Sequence, residues 1–257
     1  MEPRLPHGAR ADGDLGGAAD HLLQAQGLAL NARRLAAGLL LLAGAAQAEG
    51  VPPCPAGRPE IRMTVSDPAP VVSQALGVDA LHVETGEKRS PGLHHLALTT
   101  SRVDWHSEIE TRYREDAGGV CARPARIVLG LVQSEHLVRI AGEIPRGSCL
   151  WREVLAHERR HVAVNRQTLR AAAAQARAAT EAWAQRAEGR ETTFDAAMAG
   201  LQEGLRQAIE PALAGMREAR ETAHRRIDSR AEYERLGQVC PADQRRLREV
   251  LQAAGTP

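Results

Sequence analysis

Lysine, aromatic residues and long apolar runs are all scarce in this chain. Lys88 is the only lysine among 33 basic residues. So strong a preference for arginine, alongside Ala-rich segments, reads as compositional bias rather than as a binding surface. Net charge is only +1, and basic residues alternate with acids through the segments of helical pattern, which argues against a nucleic-acid partner. Aromatics make up 2% of the chain, so any core must be built from Leu, Val, Ile and Ala. The longest apolar run, Leu35 to Ala46, has about 12 residues, short of the roughly 20 that cross a bilayer. None of the four cysteines has C-x-x-C spacing, which excludes the usual cysteine zinc site.

What is present divides the chain. Residues 1–31 lack sustained periodicity and read as a non-structural extension. Residues 32–48 carry Arg33-Arg34, the apolar run and Ala46-Gln47-Ala48, the three parts of a secretory signal cleaved after Ala48, so no stable membrane span is expected to remain. Cys54, Cys121, Cys149 and Cys240 all lie beyond that point, and export to an oxidising compartment implies two disulfides. Three pairings are possible. Cys121 with Cys149 and Cys54 with Cys240 is favoured, because Cys149 opens a helix and Cys121 sits one strand pair upstream.

The remaining 49–257 is expected to be one domain of the α+β class, with an antiparallel β-rich part at 57–146 and a helical part at 148–257. Period-two runs at Ile61 to Val65, Leu81 to Glu84, His95 to Tyr113, Arg126 to Val132 and His136 to Ile140 predict strands, and Val71 to Gly77 a short helix. After the N-cap Ser148, a helix is predicted from Leu150 to Glu188, closed by Gly189. Thr192 and Asp195 then resemble a capping box that opens a second helix, with the apolar stripe Phe194, Met198, Leu201, Leu205, Ile209, Leu213 and Met216. Together these predict a long antiparallel helical hairpin.

The chemistry concentrates in His157-Glu158-Arg159-Arg160-His161. Histidines four apart share one face of a helix and can offer two imidazoles to one Zn²⁺, while the glutamate between them serves as general base toward an activated water. Leu150, Val154, His157, His161 and Val164 follow one stripe, so both histidines turn inward and Arg159 and Arg160 must turn out. A third ligand has to come from elsewhere. Glu181 lies twenty residues beyond His161, about 30 Å away along an unbroken helix, and is too far. Folding the chain about positions 190 to 191 instead brings residue 157 opposite 224. His224 is therefore the leading candidate, with Glu221 as an alternative ligand or a carboxylate that orients an imidazole, and Glu218 or a strand histidine behind them.

Val154-Leu155-Ala156-His157-Glu158 with His161-Val162, Thr99-Thr100 followed by Trp105, and Thr222-Ala223-His224 resemble a family of bacterial secreted zinc-dependent proteases that share the H-E-x-x-H motif and are otherwise of unknown function. The likeness spans Ile61 to Ile227, with Arg225 where that family tends to have glycine. It implies a periplasmic or secreted zinc peptidase acting on a peptide or protein substrate. The strand His136 to Ile140 could offer its edge to such a substrate. The competing reading is a non-catalytic envelope or interaction protein in which zinc only stabilises the fold.

Overall fold

The computed structural model describes residues 52–86 and 94–255; the predicted extension, the signal segment and the turn at Ser90-Pro91-Gly92 lie outside the described residues. The spine is one strand, β4 (Gly119–Ile140), paired along its length with β3 (Ala97–Asp116) in antiparallel register, from Asp116 opposite Gly119 to Ala97 opposite Ile140. On the other edge of β4 three short strands lie end to end. The strand β5 (Gly189–Glu191) pairs antiparallel at Val120–Ala122. The strands β1 (Glu60–Ser66) and β2 (Val71–Ser73) pair parallel, at Arg126–Val132 and Leu137–Arg139.

The expectation of an antiparallel β-rich half is therefore wrong in an instructive way. Alternating burial identifies a half-buried strand but carries no information on its direction or partner. Only four residues separate Ser66 from Val71, so β1 continues into β2 along the same edge in the same direction, and the chain reverses only before β3.

The segment expected as a strand at Leu81 to Glu84 is helical, α1 (Val78–Thr85), while Val71 to Gly77, expected as a helix, holds β2 and a loop. What starts α1 is remote in sequence. The Glu143 carboxylate accepts from Val78 N at 3.1 Å, in place of a local cap.

Two long helices cover the face of the sheet that carries Ile127, Leu129 and Leu131: α2 (Cys149–Ala184) and α3 (Phe194–Ile227). They do not form the expected self-contained helical hairpin. The connection between them enters the sheet as β5, so each helix is anchored to β4 separately, and α3 is capped by Thr193, which accepts from Ala196 N, rather than by Thr192. Leu169, Ala172, Ala173 and Ala176 meet Leu205, Ile209, Ala212 and Leu213 over the sheet. Small alanines let the layers approach closely, which is how a chain with few aromatics still fills its core. Two short helices, α4 (Arg230–Gln238) and α5 (Pro241–Ala253), complete the chain, with Leu247 and Leu251 packed against the start of α2.

Both disulfides form, but as Cys54–Cys121 and Cys149–Cys240. The favoured pairing fails because β4 is one uninterrupted strand rather than two, which puts Cys121 roughly 60 Å from Ile140 at 3.3 Å per residue. The strand His136 to Ile140 also has no free edge, being flanked by β2 and β3. Among the described residues, no helix is long and apolar enough to cross a membrane. The two disulfides are compatible with an extracellular or periplasmic location.

Candidate metal centre

The first third of α2 is held at both flanks. Ser148 accepts from Trp151 N at 3.2 Å, and Asp243 of α5 accepts from Leu150 N at 2.9 Å. These contacts satisfy N–H groups that a helix start leaves open. The buried face that follows is polar: His157, Glu158, His161 and Asn165 are 5%, 5%, 8% and 2% exposed. Arg159 and Arg160 are exposed, but the Arg160 guanidinium turns back to His157 Nδ1 and Glu232.

At the far end of α3 the helix stops at Asp228, whose side chain turns back onto the two imidazoles. Asp228 Oδ1 lies 3.1 Å from His157 Nε2 and 3.1 Å from His161 Nε2, and those two nitrogens are 3.2 Å apart. The opposite nitrogen of each ring is also engaged. His157 Nδ1 is 2.9 Å from Arg160 Nη2 and 3.3 Å from Glu232 Oε1, a carboxylate that also accepts from Arg160 and Arg235. His161 Nδ1 is 2.8 Å from His224 Nδ1.

With the proton of His161 on Nδ1, toward His224, and that of His157 on Nδ1, toward Glu232, both Nε2 atoms present bare lone pairs toward a carboxylate oxygen. That state requires the Arg160 guanidinium, 2.9 Å from His157 Nδ1, to give its hydrogen to Glu232 rather than to the ring. Three acceptors within about 3 Å of one another repel unless a cation lies among them. A tetrahedral ion with bonds of 2.0–2.1 Å would space its ligands by roughly 3.3 Å, close to the triangle seen here. The donor set therefore fits Zn²⁺.

Glu158 is adjacent, with a carboxylate oxygen within 4.8 Å of nitrogens of both rings. Its Oε2 accepts from Thr99 Oγ1 of β3 at 2.5 Å. Burial pushes its pKa above the ordinary carboxylate value, against the lowering effect of Thr99 and the two imidazoles. Burial would raise Asp228 too, yet its contacts with His157 and His161 hold it well below the usual range. Glu232 is lowered to about 2, chiefly by Arg235, with His157 and Arg160 contributing. Burial lowers His157, but Asp228, Glu158 and Glu232 together outweigh it and raise the pKa. His224 is depressed to about 4 by burial and by its neighbour His161, so the ring is neutral at pH 7.

Of the residues singled out in the sequence, the structure thus brings together His157, Glu158, His161 and His224. His224, however, faces the Nδ1 side of His161 and does not join the triangle of Nε2 atoms. Counting residues to and from the turn nearly found it, one helical turn out of register, because 185–193 are not helical and lengthen the link. Glu221 pairs with Arg225 on the exposed side of α3 and does not reach the rings. Asp228 and Glu232 were missed. Ser229 caps α4 by accepting from Glu232 N, so the Ser229-x-x-Glu232 capping pattern after Ile227-Asp228 marks a chain reversal within reach of His157. No family model matches this chain, and neither a curated protein nor a solved structure does.

Proposed function

We propose that this protein is an exported zinc-dependent peptidase, with His157, His161 and Asp228 as metal ligands and Glu158 as general base. The observation that carries the reading is the triangle of two Nε2 atoms and one carboxylate oxygen with 3.1–3.2 Å edges, beside a buried carboxylate. Bound there, zinc would supply Lewis acidity, polarising a carbonyl and making water nucleophilic at neutral pH. Held by these three residues, zinc would keep a position for water, as a catalytic rather than a purely structural site requires.

The chain's own residues supply the proton traffic. Glu158, with its pKa raised toward the working range, takes a proton from water and returns it to the leaving amine. Thr99 restrains the carboxylate by bonding one oxygen, Oε2, and leaves Oε1 free to exchange that proton. Asp228 offsets the charge of a divalent ion, and Glu232 orients His157. Peptide bonds are the expected target, in a peptide or protein substrate met outside the cytoplasm.

The test is metal analysis of the purified mature protein, coupled to cleavage of a mixed peptide library by wild type and by Glu158→Gln. The reading requires about one zinc per chain and cleavage that the substitution abolishes. A wild-type protein that holds no zinc, or a variant that cleaves at the wild-type rate, would refute it.

A further inference from the structure

We infer that Asn165 and His224 form a hydrogen-bond relay that fixes the tautomer of His161 and so keeps its Nε2 atom available to a metal; the inference rests on the zinc reading above. His224 Nε2 lies 3.1 Å from Asn165 Oδ1, and His224 Nδ1 lies 2.8 Å from His161 Nδ1. An amide oxygen can only accept, so His224 donates through Nε2–H and its Nδ1 is bare. That bare nitrogen accepts from His161 Nδ1–H, which leaves the proton of His161 on the side away from Asp228. The reverse chain, with every proton shifted by one position, would place a hydrogen on His161 Nε2 and block coordination. Asn165 selects between the two states.

The relay is built rather than incidental. Asn165 is 2% exposed and one turn beyond His161 on the same face of α2. Arg220 of α3 donates to the Asn165 backbone carbonyl at 2.8 Å and to Thr168 Oγ1 at 2.8 Å, pinning α3 against α2 one turn before His224. The two imidazoles of the motif are thus oriented by unlike means. His157 leans on the charged Glu232, and His161 on a neutral chain that starts at a buried amide. Asn165 and His224 are positioning residues, acting through His161.

Three variants test this: Asn165→Leu and His224→Leu remove an acceptor, whereas His224→Gln keeps one, since a glutamine amide can donate to Asn165 and accept from His161. Zinc affinity is read by chelator competition, with thermal unfolding of each metal-free variant as the control for folding. Both leucine variants are expected to bind zinc about 10- to 100-fold more weakly, the usual effect of removing such a partner. His224→Gln is expected to stay within a few-fold of wild type. Leucine variants that fold and bind like wild type, or a glutamine variant as weak as His224→Leu, would overturn the relay.

Should the leucine variants fail to fold, imidazole ¹⁵N NMR of metal-free wild type decides. Protons on His161 Nδ1 and His224 Nε2 support the relay, and the opposite pattern refutes it. This readout needs no metal, so a wild type that never takes up zinc would defeat the proposed function while leaving the relay separately decided.

Discussion

The two halves of α2 bury opposite kinds of side chain on one continuous face. From Leu169 to Ala184 the inner residues are Leu169, Ala172, Ala173, Ala176 and Ala184, and the one buried polar group, Thr180, returns its hydroxyl to Ala176 O at 2.8 Å. From His157 to Asn165 the same face buries two imidazoles, a carboxylate and an amide. Helical periodicity is common to both halves, so the difference lies in what stands opposite. The alanine half meets the apolar face of β4 and the stripe of α3, where close approach is the only requirement. The polar half meets Thr99, His224, Asp228 and Glu232, each bonded to a specific ring or carboxylate atom. A helix can bury polarity when every buried group has a partner, and here the partners converge on one point.

Substitutions should separate the halves cleanly. The largest effect is expected from Glu158→Gln, which should reduce peptide cleavage by about 10²- to 10⁴-fold while zinc content and thermal stability stay near wild type. Next, Asp228→Ala should weaken zinc binding by more than the roughly 10- to 100-fold typical of an orienting residue, measured by chelator competition. In the other half, Leu169→Ala should destabilise the protein by about 2–5 kcal/mol in chemical unfolding with zinc stoichiometry unchanged. Zinc loss in that variant without unfolding would break the comparison.

The smallest and most diagnostic effect is in pH. Ligands must be deprotonated to bind metal, so acidification should release zinc. Burial opposes a proton on His157, but Asp228, Glu158 and Glu232 favour it more, giving a raised pKa. Because the metal-free folded ring holds its proton more tightly than in the unfolded chain, that proton stabilises the metal-free protein at low pH. The contribution fades as pH rises through the raised value. Zinc-loaded protein should show the opposite trend, gaining stability as pH rises. Parallel pH–stability curves for the two forms would contradict metal binding at His157.

Some of this was readable in one dimension. The motif at His157 to His161 and its place on an inward stripe near the start of a long helix follow from spacing and capping. Asp228 was not readable, because an aspartate at a helix end ordinarily signals nothing beyond the stop. It enters the site only because the turn at 228–229 aims it back at α2. The strand directions were not readable either. Val71-Val72 has the composition of a strand, but its pairing with Leu137–Val138 is a contact across more than sixty residues.

By itself, then, the sequence determined local and periodic matters: where the two long helices begin, and that two imidazoles and a glutamate share a turn. These depend on neighbours within about four residues along the chain. The tertiary structure alone decided that β1 and β2 run parallel to β4, that Cys54 meets Cys121, that Glu143 caps α1, and that Asp228 rather than His224 faces both Nε2 atoms. Each is a long-range pairing set by the length of β4 and by how α3 seats against α2. Chain spacing cannot encode such pairings, because a shift of one helical turn, about 5.4 Å, exchanges the residue that meets the site.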